Sequence, residues 1–444
     1  MRKSRRTWIA PLVCLTLLAC DDEPESKSRP QFEADAGADA GPDSDSRGPA
    51  YAVISSDFAA TSVSLLAADG DIVADDYLNS GSTETGLVTA LSGDVEMPTR
   101  SGEPGVLVLL DRFKTDVVTR VELSSGDVLG QVQVGDSAAD GDDAFTANPQ
   151  DYLRVDATTA WIARSEPNLK PDAAEANLGN DLIRIDPRTM ERTEDRIDLS
   201  PLNGRASRVD PMTGAEEEVD VYARPGRFAR VGDTLIVGLA RSAFDFSAVG
   251  SGLVAVVNLK TKAIGGLEIE DLQGCNYVSP IPGANDRVLV GCGGVYPTPR
   301  DSAGIAILRV SNGKASVVKS WKAKEHEDAP AVSEGYVAID PNTVGATLNG
   351  FVPGDSDSVF GTIDLESGDF TTLLSTPAGG TFGTPLYDAE SGKLFVPDSS
   401  VDGDLRPTAG VRVLERSDDG AFEETNVLEV AKDTGLPARH VFRL

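Results

Sequence analysis

The chain offers few residues able to do covalent or metal chemistry: four cysteines and two histidines in 444 residues. Cys275 and Cys292 flank a hairpin signal that reads Cys275-Asn-Tyr-Val-Ser-Pro-Ile-Pro, then Gly283-Ala-Asn-Asp, then Arg287-Val-Leu-Val-Gly-Cys292. Their midpoint falls on the turn, so a symmetric hairpin sets them opposite each other. Opposed antiparallel residues have Cα atoms ~4.5–5.5 Å apart, which suits a disulfide. Such a bridge would add about 3 kcal/mol. Free buried thiols or metal ligands are the alternatives, although no other soft ligand lies nearby. His326 sits in Lys-Glu-His-Glu-Asp and reads as a solvated loop residue. His440 reads as a structural strand residue. HExxH, CxxCH and Cys/His zinc spacings are absent, as are GxSxG and P-loop patterns. Ser311-Asn-Gly-Lys314 has the letters of SxxK but occupies a hairpin turn rather than a helix start. Calcium takes several oxygen ligands. Its candidate ligands are Asp136, Asp140, Asp142 and Asp143 in one loop or Asp398, Asp402 and Asp404 in another. Neither loop has EF-hand register, and solvated loops are the expected reading.

The first residues set the context for this chemistry. Met1-Arg2-Lys3-Ser4-Arg5-Arg6 is basic, Trp8 to Leu18 is apolar, and Leu17-Leu18-Ala19-Cys20 follows. This resembles a bacterial lipoprotein signal, with residues 1–19 removed and Cys20 lipidated. The apolar run is about half the ~20 residues needed to span a bilayer. The resemblance implies an anchor on the periplasmic face or the cell surface, a membrane partner through the Cys20 lipid, and an oxidising compartment for Cys275 and Cys292.

Residues 20–50 are the lipidated cysteine and an acidic tether. The segment after Cys20 is poor in apolar side chains and is expected to stay disordered, with a reach of roughly 30 Å. The whole chain carries a formal charge of −31. Removing residues 1–19 would take away four basic residues and no acidic ones. Nucleic-acid binding needs a basic footprint, and no Lys/Arg cluster follows residue 6. A soluble monomer outside the cytoplasm is expected.

Residues 51–444 form the folded domain. One unit recurs seven times: a strand, a tight turn with Gly, Asp, Asn or Ser, and a second strand. Val117-Val-Thr-Arg-Val-Glu-Leu-Ser-Ser-Gly-Asp and Ile305-Ala-Ile-Leu-Arg-Val-Ser-Asn-Gly-Lys are examples. Most copies have another strand pair upstream, as in Arg227-Phe-Ala-Arg-Val-Gly-Asp with Thr234-Leu-Ile-Val-Gly-Leu-Ala. The expected fold is therefore all-β, a seven-bladed β-propeller of four-stranded antiparallel blades. Ala438-Arg-His-Val-Phe-Arg-Leu444 has strand character and no partner of its own. It is expected to close the ring as the innermost strand of the first blade. Val209-Asp-Pro-Met-Thr-Gly214 reads as an extra hairpin within a long loop.

Asn148-Pro-Gln-Asp-Tyr, Ala160-Trp-Ile-Ala-Arg and Asp181-Leu-Ile-Arg-Ile-Asp-Pro-Arg-Thr resemble the YVTN-type propeller repeat. That resemblance implies an exported bacterial envelope protein. The functional expectation is a non-enzymatic binding or scaffold protein for a protein, peptide or glycan, held by long polar loops at 136–149, 165–180, 200–225 and 296–303. The alternative is a propeller enzyme, either a metal-dependent lactonase-like hydrolase or a quinone-dependent dehydrogenase.

Overall fold

The computed structural model describes residues 48–112, 114–136, 144–210, 212–295, 298–326, 331–349, 358–376, 380–401, 407, 410–417 and 419–444. The signal segment, Cys20, the tether up to residue 47 and Asp140, Asp142, Asp143, Asp402 and Asp404 lie outside the described residues. The domain's first strand begins at Pro49, two residues before the expected start.

Strand-forming residues dominate, and their burial depends on position within a sheet. Val106–Asp111 (VLVLLD) is buried along nearly its whole length. Phe422–Leu428 (FEETNVL) is exposed along most of its length. A strand flanked on both sides and both faces reads as a continuous apolar run, whereas an edge strand carries polar residues. Turn chemistry fits the hairpins. Asn312 and Gly313, with φ of 52° and 74°, link Ala303–Ser311 to Lys314–Lys322. Two successive positive φ values suit the right-handed twist of the flanking strands.

Among the described residues the strands form seven four-stranded antiparallel sheets and one three-stranded sheet. The fold is a β-propeller. Its first sheet is ordered Ile72–Asn79, Thr61–Ala67, Pro49–Ser56, Ala438–Arg443. The expected closure is thus present: Tyr51 pairs with Arg443, Val53 with Val441 and Ile54 with His440. The other six sheets follow chain order and begin on Val95–Glu96, Pro149–Asp156, Pro225–Val231, Tyr277–Ile281, Ala331–Asp340 and Leu386–Asp388.

Packing between sheets closes the circle. All but one of the apolar clusters among the described residues join one sheet to the next. Ile54, Leu65, Leu107 and Val121 join the first to the second. Val108, Tyr152 and Ile162 continue to the third, and Trp161, Phe228 and Leu235 to the fourth. Further clusters run onward, and Tyr51, Phe395, Val413 and Val441 join the last sheet back to the first. Each cluster removes several large side chains from water, at about 1.5–3 kcal/mol per side chain.

The three-stranded sheet stands apart. Gly204–Val209 and Glu216–Tyr222 form a hairpin, and Ser242–Ala243 pairs with its second strand. Its own small core is Val221, Ala243 and Ala248. This is the extra hairpin expected within 200–225.

Cys275 and Cys292 form a disulfide, with Cα atoms 3.9 Å apart. Their placement differs from the symmetric expectation. Tyr277 pairs with Gly291, so Cys292 lies one position off from direct opposition to Cys275. Cys275 instead bends toward the preceding sheet, where its carbonyl accepts the Leu239 N–H at 2.8 Å.

A candidate ligand site at the axis

The first strand of each later sheet and the closing strand surround the propeller axis. At one end of that axis lies a cavity of about 530 Å³. Its walls include Arg100, Glu103, Arg227, Tyr277, Tyr387 and Arg443, drawn from five sheets. In a chain of net charge −31, three arginines converge on one opening.

Each is held differently. Arg443 extends from the closing strand and pairs with Asp388 at 2.9 Å and Glu390 at 2.7 Å. Arg227 pairs with Glu96 and donates to the Met97 carbonyl at 2.6 Å. Arg100 has no carboxylate partner among the described residues. Arg100 is exposed at the opening, and partial desolvation there, then the neighbouring Arg443 charge, lowers its pKa. A guanidinium that lacks an internal counter-charge beside a second guanidinium favours an anion. Its planar fork of donors matches carboxylate or phosphate oxygens.

The loop carrying Arg100 is fixed by Glu103. Gly102, at φ 71°, brings the chain against the Arg154 carbonyl, where an added Cβ would stand at 2.7 Å. Glu103, with a fully buried side chain, then accepts from Arg120 Nε at 3.0 Å, from Arg154 at 2.8 Å and from the Tyr152 hydroxyl. Burial, the Glu103 charge and this hydrogen bond push the Tyr152 hydroxyl pKa well up.

Beneath the cavity the axis is lined by charge. Glu96 bridges Arg227 and Arg112, the latter at 2.6 Å. His440 lies 4.0 Å from Glu96, and its Nδ1 is 2.9 Å from the Thr384 hydroxyl. Burial, then the charges of Arg112, Arg227 and Arg439, hold its pKa well below the ordinary value. The imidazole is neutral at neutral pH. Asp151, fully buried, accepts the N–H groups of Thr99 at 3.0 Å, Tyr152 at 2.9 Å and Phe228 at 2.9 Å. Burial outweighs these bonds and raises its pKa to about 7.

The sequence-level candidates are only partly here. His440 belongs to the axial wall rather than merely to a strand. His326 is not simply solvated: its ring stacks on Trp321 at 4.9 Å, far from the axis residues in sheet order. Ser311 and Lys314 close a hairpin, as expected. Asp398 is buried and paired with Arg412 at 3.2 Å. Asp136 accepts from Asn177. Among the described residues no group of three or more His, Cys, Asp or Glu side chains could hold a metal ion. No helix there is long and apolar enough to cross a membrane.

Solved structures resemble this fold across most of the chain. A putative 6-phosphogluconolactonase from Bacteroides fragilis superposes with TM-score 0.54 at 10% identity, covering 91% of this chain and 100% of that one. The periplasmic gluconolactonase of Pseudomonas aeruginosa gives TM-score 0.54 at 11% identity, covering 89% and 99%. A protein from Lactobacillus plantarum gives 0.53 at 12% identity, also covering 89% and 99%. At such identities the likeness concerns the fold. No family model and no curated protein matches the sequence.

Proposed function

We propose that this is a lipid-anchored propeller of the bacterial cell envelope that binds a small, anionic, hydroxyl-rich ligand, such as a sugar acid, at the axis. Each four-stranded sheet is read as one blade, seven in all, and the protein acts as a monomer. The supporting observation is the arginine-lined cavity, in particular Arg100 facing it without a carboxylate partner. Glu390, exposed at the same opening, can accept hydroxyl donors. The test is calorimetric titration with D-gluconate against the neutral polyol sorbitol. Gluconate is expected to bind and sorbitol not to. Arg100→Ala should weaken gluconate by tenfold or more, the scale of one charged hydrogen bond. Equal binding of both compounds, or none of gluconate, would overturn the reading.

A second reading, hydrolysis of a sugar lactone, rests on neutral His440 beside Thr384 and Glu96, next to cavity residue Arg227. A neutral imidazole can take a proton from water, and a guanidinium can stabilise a developing oxyanion. Two of the resembling propellers carry lactonase descriptions. Acid release from glucono-δ-lactone, followed by pH-stat, should exceed the spontaneous rate and collapse in His440→Ala if this reading holds.

A further inference from the structure

The hairpin Gly204–Val209/Glu216–Tyr222 is anchored rigidly to the ring but leaves one edge open. At its base, Asn203 Oδ1 accepts from Asn180 at 3.0 Å and from the Ala223 N–H at 2.9 Å. Its six cross-strand pairs run from Gly204–Val221 to Val209–Glu216 without a bulge. Asp210 donates its N–H to the Ala215 carbonyl at 2.9 Å. Bonded and non-bonded pairs alternate along an antiparallel ladder. Arg208 and Ala206 therefore bond inward, and Arg205, Ser207 and Val209 point their N–H and C=O groups at the open edge. Among the described residues none of these outward backbone groups has a hydrogen-bond partner. Natural edges are usually blunted by bulges, prolines, charges or covering elements; this one carries Arg205 and Arg208 but, among the described residues, no bulge, proline or covering element.

The surroundings indicate what would cover it. The outward face presents Glu216, Glu218 and Asp220, with Arg205 set against Asp220 at 3.8 Å. Arg208 is committed to Glu217 at 2.7 Å and Asp245 at 2.8 Å on the other face. Apolar side chains stand exposed around the hairpin: Val209 at 62%, Met212 at 91% and Phe246 at 64%. A strand added beside Gly204–Val209 would lie ~4.8 Å away. Long basic side chains on it could reach over the short Ser207 to Glu218, and over Val209 to Glu216.

We infer that this edge takes up an extended, basic segment of another protein, with cationic and apolar residues alternating, as an added antiparallel strand. Backbone bonds at Arg205, Ser207 and Val209 would supply affinity, and the acidic face would supply selectivity. This surface is separate from the axial cavity and does not depend on what binds there.

The probe is a capped, fluorescein-labelled hexapeptide of alternating lysine and valine, followed by fluorescence anisotropy with the folded protein. Saturable binding is expected, with the alternating glutamate–valine peptide at least tenfold weaker. Ser207→Pro removes one outward N–H and no bond of the hairpin. It should weaken the lysine peptide at least tenfold and leave the melting temperature unchanged. The triple change Glu216→Lys, Glu218→Lys, Asp220→Lys keeps the edge and should reverse the preference toward the glutamate peptide. Equal binding of both peptides, an unreversed preference in the triple variant, or no effect of Ser207→Pro would overturn the inference. So would sedimentation showing a dimer that Ser207→Pro dissolves, because the edge would then serve a second copy.

Discussion

The Tyr51 hydroxyl donates to Asp388 at 2.7 Å, joining Pro49–Ser56 of the first sheet to the last sheet in the chain. Arg443 reaches the same carboxylate from the closing strand at 2.9 Å, so one side chain binds both partners of the seam. Burial, then the Asp388 bond, pushes the Tyr51 hydroxyl pKa well up. Tyr51→Phe should cost about 1 kcal/mol, because Asp388 keeps Arg443 and Ser391. Deleting residues 436–444 should cost far more, since buried Val441 and Phe442 leave with a whole hydrogen-bonded strand. Thermal melts of both variants check this, and an unchanged melt after the deletion would contradict a closed ring.

Glu103 gathers Arg120, Arg154 and Tyr152 where no water competes. Glu103→Gln would leave buried Arg120 and half-buried Arg154 short of a counter-charge. A loss on the order of 3–5 kcal/mol is expected, as for breaking a buried ion pair from one side. Urea unfolding measures it. The loop bearing Arg100 should loosen as well, so gluconate affinity should fall together with stability.

Asp151 gives stability a pH dependence of unusual sign for a carboxylate. Its folded pKa of about 7 lies above the ordinary 3.8. The folded state therefore holds the proton more tightly, and stability falls as pH rises through that window. Asp116, raised to about 6 chiefly by burial, acts in the same direction. Asp151→Asn turns a donor toward backbone N–H groups and should be less stable than the parent at pH 5. Its deficit should shrink by pH 8, where the parent carries a buried charge. Melts at both pH values decide the matter, and a constant deficit would refute it.

The disulfide joins cysteines 17 positions apart in the chain. Replacing both cysteines with alanine should cost about 3 kcal/mol. Both sulfurs are buried, so mild reductant should leave the folded protein intact while lowering its unfolding midpoint in urea.

The repeat was legible because turns such as Asn312-Gly313 and apolar strands such as Val106–Asp111 obey local rules. The closing strand was legible for a similar reason: it had strand character and no neighbour. The cavity was not. Arg100, Arg227 and Arg443 lie more than a hundred residues apart, and only ring topology brings them together. Glu103 sits in a Gly/Pro-rich loop where a carboxylate looks solvated, and nothing local shows that three donors from Val117–Glu122 and Pro149–Asp156 will bury it. Asp151 belongs to the Asn148-Pro-Gln-Asp segment that carried the family likeness. Its burial beneath the N–H groups of Thr99 and Phe228 depends on contacts between sheets.

The way the ring closes also decides which way it faces. Ala438–Arg443 runs toward the cavity and ends there, and the Leu444 N–H donates to the Ala50 carbonyl at 2.9 Å. The antiparallel first strand therefore starts on that same side, and any chain before Pro49 departs from the cavity face. The strand that closes the ring is thus also part of the cavity wall, so a change within it would be felt in both unfolding stability and ligand affinity.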